Sequence, residues 1–323
     1  AGTPYDECRW SLDEERPPPS DLIIAGLDNL PSLIEEFQSL GVKIIFSALP
    51  DEPAERVERD LAAAGFLVIS HAQIHRLQPD VPLIVPEVNI QHLSLLHKQS
   101  GSSDGRLISC SNCMVLPIAI TLSPLIQIAG IKSVRISTQQ ALSGGGRMLL
   151  ARGRTGRHIS SEIPGEAESI VTELTKIMSS EFDIEASCGR VMRDHGHYAR
   201  IEVEFEDQVS AHQVIRAWRE SYSRSQELNL PSAAKRPIIF VDGELDDDHR
   251  WVGFEEIEHP AHDLKAAMAV AVGEVEIEGS NLRFSLMADN TIRGAAGYSV
   301  LLVEQLLADG LLHDNNTILA QEV

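Results

Sequence analysis

Residues Val42–Ser70 read VKIIFSALPDEPAERVERDLAAAGFLVIS, and this stretch decides the fold. Val42–Leu49 and Phe66–Ser70 are short runs rich in apolar residues, which predicts two buried strands. Between them, Glu52–Gly65 has a proline near its start, charges on one face and a glycine at its end, as expected of a helix. A strand, a helix and a strand at this spacing predict a βαβ unit and therefore a parallel sheet.

The pattern changes along the chain. Val81–Asn89 and Arg106–Cys110 are further apolar runs that extend the parallel sheet. Ala199–Asp207 instead alternates apolar with acidic residues, which predicts a half-exposed antiparallel strand, and Ala267–Asn290 predicts two more such strands. Gly294–Leu312 predicts a closing helix. The sequence therefore predicts an α/β fold with a parallel first part and an antiparallel second part.

Length and composition limit the possible classes of protein. The chain has 323 residues, which at roughly 100–200 residues per domain predicts two domains. Its formal charge is 27 − 48 = −21, which argues against nucleic acid and membranes as partners. The longest apolar run, Met114–Ile128, is shorter than the roughly 18 residues of a membrane span. Four cysteines in so long a chain do not form a disulfide framework, and they predict a reducing, cytoplasmic environment.

The segment SCSNCMVLP, Ser109–Pro117, places Cys110 and Cys113 three residues apart. A structural zinc site would need Cys188 and a distant histidine as further ligands, so we expect no metal. A redox pair would need an early βαβ unit around it. A third interpretation places Cys113 at a helix start, where the backbone N–H groups favour a nucleophilic thiolate. Two inert core cysteines remain an alternative.

A thiolate nucleophile needs a base or a cationic partner, and the later sequence offers both. His195 and His197 directly precede the alternating strand, although a histidine there is often only packed or exposed. Arg190, seven residues before His197, could hold a carboxylate through two hydrogen bonds. Leu142–Arg147, LSGGGR, has three glycines that would let backbone approach a ligand closely, or would simply form a turn.

With these residues together, the sequence resembles the aspartate-β-semialdehyde dehydrogenases, most closely the branch found in archaea and fungi. The resemblance extends along nearly the whole chain, through AGTPYDECRW, IIFSALP, AGFLVIS, HRLQPDVPLIVPEVN, SNC, STQQALSGGG, GEAE, SCGRV, GHY, LNLPSAAKRPI and ADNTIRGAAGYSVLLVEQLL. It implies a Rossmann dinucleotide-binding domain at residues 1–112 and 291–323, with its first βαβ start missing. Residues 113–290 would form an α+β catalytic and dimerisation domain like that of glyceraldehyde-3-phosphate dehydrogenase.

The resemblance also implies roles for individual residues. Cys113 matches the nucleophile that forms a thioacyl enzyme, His197 matches the acid/base, and Gln140 matches a glutamine that orients the substrate. Four more residues are implied to bind the substrate or its phosphate group: Arg190 at the α-carboxylate, Glu166 near the amine, Arg76 at the phosphate, and Asn112. Six are implied to contact NADP(H): Ser47, Ala48, Ser143, Gly144, Gly145 and Asn290.

The implied reaction is the NADP-dependent reductive dephosphorylation of L-aspartyl-4-phosphate to aspartate-4-semialdehyde, a step towards lysine, threonine, methionine and isoleucine. The implied partners are this small substrate and phosphate, in a homodimer or homotetramer. The chain departs from the family at its start, since the G-A-T-G-x-V-G turn that cradles the pyrophosphate is absent. We therefore expect the sequence to be a fragment that holds NADPH weakly and exposes a sheet edge.

Further departures concern the phosphate. Ser169 stands where the family usually has a phosphate-binding lysine, and HAQ (71–73) replaces NAS before Arg76. An arginine-rich segment, Arg147–Ser161, replaces the expected sequence after the glycine turn. A second hypothesis is therefore a reductase of acyl thioesters, like the malonyl-CoA reductases that resemble this scaffold. A third hypothesis is a non-catalytic paralogue that serves as a binding subunit.

Overall fold

The computed structural model describes residues 2–10, 22–99, 105–253 and 263–311. The strands in these ranges are β1 (Thr3–Pro4), β2 (Ile23–Ile24), β3 (Ile44–Ser47), β4 (Leu67–Ser70), β5 (Leu83–Ile84), β6 (Arg106–Cys110), β7 (Ile131–Gln140), β8 (Asp183–Arg190), β9 (His197–Phe205), β10 (Ile238–Phe240), β11 (Val270–Glu278) and β12 (Asn281–Ala288). The α-helices are α1 (Leu30–Ser39), α2 (Asp51–Ala63), α3 (Pro86–Asn89), α4 (Val115–Ile126), α5 (Gly146–Arg154), α6 (Glu166–Met178), α7 (Ala211–Arg219), α8 (Arg224–Glu227) and α9 (Gly297–Ala308).

The first sheet is parallel, as the sequence predicts. It has four strands in the order β3-β4-β6-β5, and Ile44 of β3 lies opposite Leu67 of β4. Helix α2 connects β3 to β4, which completes the predicted βαβ unit. β3 is an edge of the sheet in the described part of the chain, and its Phe46 is 50% exposed.

Helix α2 packs against this sheet through one apolar face. Val57 and Leu61, four residues apart, are buried in a small core with Phe66 and Val68 from the start of β4. The ring of Phe37 from α1 meets Phe66 edge to face, with ring centroids 6.2 Å apart. Each such side chain contributes about 1.5–3 kcal/mol through burial, so the βαβ unit is stabilised by its own small core.

The second sheet is mixed rather than purely antiparallel, which corrects the prediction. Its order is β10-β11-β12-β9-β7-β8, and the two outer pairs, β10–β11 and β7–β8, are parallel. The inner strands are antiparallel neighbours. The predicted alternation in β9 is confirmed, since Ile201, Val203 and Phe205 are buried while Glu204 is exposed. Parallel pairing was missed because β8 and β10 were not identified as strands.

Helix α4 is buried between the two sheets, in a core that draws side chains from both of them. Apolar residues lie all around it, as expected of a helix with no solvent-exposed face. The indole Nε1 of Trp218 in α7 donates a hydrogen bond of 2.9 Å to the carbonyl of Thr121 in α4. This helix places the turn before it at the junction of the two sheets.

Several local predictions were wrong. β5 covers only Leu83–Ile84 before α3 begins at Pro86, because proline fits the first helical turn better than a strand. The turn expected at the glycines is a 3₁₀ turn at Leu142–Gly145, and the first part of the arginine-rich segment, for which no element was predicted, lies in α5. The helices α1 and α7 were not predicted. None of the helices in the described ranges is long and apolar enough to span a membrane.

Candidate active site

Cys113 lies in the turn between β6 and α4, two residues before the helix begins. The Oδ1 atom of Asn112 accepts a hydrogen bond of 2.7 Å from the Met114 N–H, so the asparagine caps this turn. The helix starts slightly later than predicted, with Pro117 as its third residue, where the missing N–H has no helical partner. The predicted nucleophile therefore precedes the N-terminus of a buried helix.

His197, the first residue of β9, faces this cysteine. Its Nε2 atom lies 3.3 Å from the Sγ atom of Cys113. Burial, followed by the carboxylate of Glu166, raises the pKa of the Cys113 thiol to about 12. Burial, followed by the guanidinium of Arg190, lowers the pKa of His197 to about 3. In the free site both side chains are therefore uncharged at neutral pH.

The glycine-containing turn after β7 holds the histidine from its other side. The backbone N–H of Ala141 donates to Nδ1 of His197 at 3.1 Å. Gly144 lies so close that a Cβ there would approach the imidazole Cε1 to 2.9 Å and the Arg190 Nη1 to 3.2 Å. Any side chain at residue 144 would crowd the imidazole and the guanidinium, so glycine is required for this close approach.

Arg190, at the end of β8, borders the same space. Its Nη1 atom donates to the carbonyl of Ala141 at 2.8 Å, which fixes one edge of the guanidinium. Within the described part of the chain, its Nε and Nη2 atoms have no hydrogen-bond partner. A planar cation with an open edge suits a carboxylate, which accepts two parallel hydrogen bonds.

Three predicted polar residues form a network next to Cys113. The Oε1 atom of Glu166, the first residue of α6, accepts hydrogen bonds from Asn112 Nδ2 at 2.9 Å and from Gln140 Nε2 at 2.5 Å. Gly165 precedes α6 with φ of 75°, a left-handed conformation that favours glycine. The structure thus brings Asn112, Gln140 and Glu166 together with the cysteine.

Arg76, the predicted phosphate residue, is differently placed. Each of its nitrogens donates inside the protein, to the Cys110 carbonyl, the His71 carbonyl and the Glu173 carboxylate, at 3.0–3.1 Å. The side chain is only 13% exposed, and that of Glu173 is 1% exposed. The cation is therefore already paired with an internal anion.

Glu173 also satisfies the other donors on this side of the cysteine. One carboxylate oxygen accepts from the hydroxyl of Ser169 at 2.6 Å, and the other accepts from the backbone N–H of Asn112 at 2.7 Å. Lys176, one turn further along α6, donates to three backbone carbonyls around Arg76 at 2.8 Å each. Burial lowers the pKa of Lys176 to about 8.

The predicted cofactor residues lie in two groups. Ser143 and Asn290 are hydrogen-bonded to each other through the hydroxyl and the amide oxygen at 3.2 Å, beside Gly144. The Asn290 oxygen also accepts from the backbone N–H of Gly196 at 3.0 Å. Ser47 and Ala48 lie at the carboxyl end of β3, the edge at which parallel α/β sheets bind nucleotides. The structure therefore brings Ser143, Gly144 and Asn290 together beside His197.

Three contributors were not identified from the sequence. Glu173 lies four residues after Ser169 and seven after Glu166, and this spacing on α6 could have revealed a shared face. Gly294 packs on the cysteine, since a Cβ there would come within 2.8 Å of the Cys113 Cβ. The N–H of Ala141 has no signal in the sequence, because every residue except proline carries one.

The second cysteine of the pair has a different environment. Cys110 is completely buried at the end of β6, and burial raises the pKa of its thiol to about 12. All four cysteines are free thiols. Across the described ranges, no three histidine, cysteine, aspartate or glutamate side chains gather as ligands for a metal ion.

Comparisons with known proteins can be set beside this geometry. Residues 27–96 match the family model described as the NAD binding domain of semialdehyde dehydrogenase. The chain is similar to the aspartate-semialdehyde dehydrogenase of Methanothermobacter thermautotrophicus, with 33% identity over 320 residues that cover 94% of this chain and 87% of that protein. It is also similar to the malonyl CoA reductase (NADP) of Metallosphaera sedula, with 32% identity over 291 residues that cover 84% and 78%.

A solved structure shows the same architecture. The aspartate semialdehyde dehydrogenase of Candida albicans, determined with NADP, matches with a TM-score of 0.76 at 26% identity. The match covers 96% of this chain and 88% of that one. The combination of a parallel Rossmann-like sheet with a mixed second sheet is therefore shared over nearly the whole chain.

Proposed function

The chain belongs to the aspartate-semialdehyde dehydrogenase family of oxidoreductases, and on that premise we propose that it converts L-aspartyl-4-phosphate to aspartate-4-semialdehyde with NADPH. The observation that carries the proposal is the pairing of Cys113 and His197 at 3.3 Å, with the open edge of Arg190 on the same side. A nucleophile, a partner for its charge and a carboxylate clamp are the parts that this chemistry needs.

In the proposed reaction, Nε2 of His197 takes the thiol proton of Cys113 as the sulfur attacks the acyl carbon; the bond from that carbon to the phosphate oxygen breaks, phosphate leaves with the electron pair, and a thioester forms. When bound, NADPH supplies a hydride to that carbon. The resulting tetrahedral oxyanion lies within reach of His197, whose ring is held by the Ala141 amide. Collapse of this species releases the aldehyde and returns the thiolate.

Two groups would orient the substrate. Arg190 offers its Nε and Nη2 edge to the α-carboxylate, and the Glu166 carboxylate lies near enough to Gln140 and Asn112 to form one polar wall for the α-ammonium. Holding both charged groups fixes the acyl carbon relative to the sulfur, and orientation of this kind lowers the entropic part of the barrier.

The proposal extends to the setting of the enzyme. Lysine, threonine, methionine and isoleucine synthesis would consume the semialdehyde. Free thiols in all four cysteines suit the reducing cytoplasm, where we place the protein as a homodimer or homotetramer.

A second function, reduction of an acyl thioester, is supported by one specific observation. The donors that should receive the leaving phosphate, Arg76, Ser169 and the Asn112 N–H, all bind the carboxylate of Glu173. When the substrate is an acyl thioester, the leaving group is a thiolate, and it needs no pocket for a highly charged phosphate. The similarity to the malonyl CoA reductase (NADP) of Metallosphaera sedula agrees with this alternative.

The two functions can be separated with the full-length gene product. Aspartate-4-semialdehyde and NADP are supplied with phosphate in one assay and with coenzyme A in another, and NADPH absorbance is followed. We expect phosphate-dependent NADPH formation. If NADPH forms only when coenzyme A is supplied, the second function replaces the first. No NADPH formation with either acceptor, with the Cys113 thiol shown to be unoxidised, would contradict both.

A further inference from the structure

We propose that Arg293 and Glu87 are positioning residues for the reacting pair, Cys113 and His197. Their buried ion pair fixes the turn that follows β12, and Gly294 in this turn then sets the distance between the two reacting side chains. This inference rests on the proposed function, because it assigns how the nucleophile of that site is held next to its proton acceptor.

The two reacting side chains come from different sheets. Cys113 follows β6 of the first sheet, whereas His197 begins β9 of the second, and their Sγ and Nε2 atoms lie 3.3 Å apart. A displacement of about 1 Å between reacting groups can cost about 10²-fold in rate. The site therefore needs an element that holds the two sheets in a fixed relation at this point.

The segment between β12 and α9 reaches both reacting side chains. Ala288, the last residue of β12, lies opposite His197 in the antiparallel pair. Further along the segment, Gly294 packs on the cysteine, and a Cβ there would come within 2.8 Å of the Cys113 Cβ and 2.9 Å of its carbonyl oxygen. The segment therefore connects the two members of the reacting pair.

The start of this segment is anchored on the side of the second sheet. Asp289 is completely buried, and its carboxylate accepts a hydrogen bond from Arg250 Nη1 at 2.7 Å. The Oδ1 atom of Asn290 accepts from the backbone N–H of Gly196 at 3.0 Å, directly before His197. The end of the segment near the histidine is thus fixed by one ion pair and one backbone contact.

The segment continues as one π-helical turn, Ile292–Ala296. The N–H of Gly294 donates to the carbonyl of Asp289 at 3.0 Å, and the N–H of Ala296 donates to the carbonyl of Thr291 at 3.1 Å. These bonds join residues five positions apart, a wide turn that is frequent at functional sites. Here the wide turn brings the backbone of Gly294 against the nucleophile.

The ion pair ties this turn to the first sheet. The Nη2 atom of Arg293 donates to Oε1 of Glu87 at 2.5 Å, and the two side chains are 0% and 4% exposed. Glu87 lies in α3, which follows β5, and β5 pairs with β6, the strand that leads to Cys113. The turn is therefore held by both sheets, and it lies between the two residues that react.

Stability alone does not account for this pair. Across the described ranges, Nε and Nη1 of Arg293 and Oε2 of Glu87 are buried without a hydrogen-bond partner. The cost of removing two charges from water can exceed the attraction between them, and replacing such a pair by apolar side chains is often neutral for stability. A fixed geometry is what the pair supplies and an apolar contact would not.

The first test inserts a methyl group between the turn and the nucleophile in the full-length protein. Gly294 is outside the left-handed region, so Gly294→Ala acts through its contact with Cys113 and not through backbone strain. We expect kcat for NADPH formation to fall about 100-fold. The KM for the semialdehyde should change by less than about threefold, since Arg190 and Glu166 lie on β8 and α6. Ala296→Ser, exposed in the same turn, is the control and should match the parent. A parent-like kcat in Gly294→Ala would overturn the proposal.

The second test removes the ion pair without leaving a buried charge unpaired. Glu87→Met combined with Arg293→Met should keep the urea midpoint close to that of the parent, while kcat falls at least about tenfold. Arg224→Met is the control, because it removes an exposed ion pair with Asp309 at the other end of α9 and should leave kcat unchanged. A parent-like kcat in the double variant would overturn the proposal, and so would its failure to fold, which would assign the pair to stability.

Crystal structures of the parent and the double variant give a readout that needs no substrate. The distance between Sγ of Cys113 and Nε2 of His197, 3.3 Å here, should lengthen by about 1 Å in the double variant. An unchanged distance would overturn the inference even in an active enzyme. A longer distance supports it even where neither phosphate nor coenzyme A sustains NADPH formation, so its outcome is separate from that of the proposed function.

Discussion

The two sides of Cys113 differ in whether their hydrogen-bonding groups are open. On one side, Nε2 of His197 faces the sulfur, and the Nε and Nη2 edge of Arg190 is bound to no internal carboxylate in the described part of the chain. On the other side, Arg76 and its neighbouring donors are bound to the buried carboxylate of Glu173. In the proposed reaction, the open side would hold the acyl group at the sulfur, and the side that should receive the leaving phosphate is closed by the protein's own carboxylate.

The closed side follows from a few residues on α6. Ser169 stands where the family usually has a lysine, and its hydroxyl donates a hydrogen bond to Glu173. The buried carboxylate is thus matched by one cation, Arg76, and by neutral donors. Breaking such a buried pair by removing one partner costs about 3–5 kcal/mol, so the arrangement resists a competing anion.

The largest effect should come from the nucleophile on the open side. Cys113→Ala should abolish turnover, with a fall of at least about 10⁴-fold in kcat, because no thioester can form. NADPH formation from semialdehyde measures this loss. Cys110→Ala is the matched control, since Cys110 is buried and contacts no reacting group, and it should retain activity within about threefold while losing some stability. Equal losses in both variants would remove the distinction between the two cysteines.

The second largest effect should come from Arg190, the carboxylate clamp on the open side. Arg190→Gln should lower kcat/KM for the semialdehyde by about 100-fold, since loss of one partner of a charged pair costs about 3 kcal/mol. Arg190→Lys should recover only part of this loss, because an ammonium lacks the planar edge. Arg135→Gln, on the exposed face of β7, is the control and should leave kcat/KM unchanged. An unaltered KM in Arg190→Gln would contradict the role of the clamp.

The closed side can be opened by adding the missing cation. Ser169→Lys should provide a second partner for Glu173 and lower the phosphate KM by about tenfold, since a hydrogen bond to a charged group contributes about 1.5 kcal/mol. Ser169→Met has a similar length without the charge and should not lower it. A phosphate KM that is the same in the two variants would show that the charge balance around Arg76 does not limit phosphate binding.

The smallest effect concerns pH. Because the pKa of Cys113 is raised to about 12, the thiolate fraction in the free protein should grow tenfold per pH unit between pH 7 and pH 10. Glu166 is the second cause of this shift after burial, so Glu166→Gln should lower the pKa and speed alkylation at each pH. Iodoacetamide labelling followed by mass spectrometry of the Cys113 peptide measures both rates. A rate that is flat around neutral pH would contradict the account.

Much of the fold could be predicted because the decisive signals are local. The βαβ unit in Val42–Ser70 is indicated by apolar runs, a proline and a glycine, and most of its small core lies within that segment and the adjoining helix α1, with Val81 and Leu107 added from later in the chain. The mixed order of the second sheet could not be predicted, since parallel pairing of β7 with β8 joins residues about fifty positions apart. Such pairing depends on packing across the whole molecule and leaves no local pattern.

The features of the site also divide into those that the sequence indicated and those that depend on distant contacts. The resemblance singled out Cys113, His197 and Arg190, and the structure brings these three side chains together. The closure of Arg76 by Glu173 was not foreseen, because it depends on a contact across 97 positions between a loop and α6. The contact that holds the His197 ring was hidden for another reason: it comes from the backbone N–H of Ala141, and nearly every residue carries such a group.

The central claim is that an acyl group passes through the sulfur of Cys113, whatever the leaving group. Its most direct test is to mix the full-length protein with aspartate-4-semialdehyde and NADP, without phosphate or coenzyme A, and to quench in acid. Mass spectrometry should then find an aspartyl thioester on the Cys113 peptide, and none in Cys113→Ala. Formation of NADPH without an adduct on that peptide, or an adduct on another residue, would contradict the account.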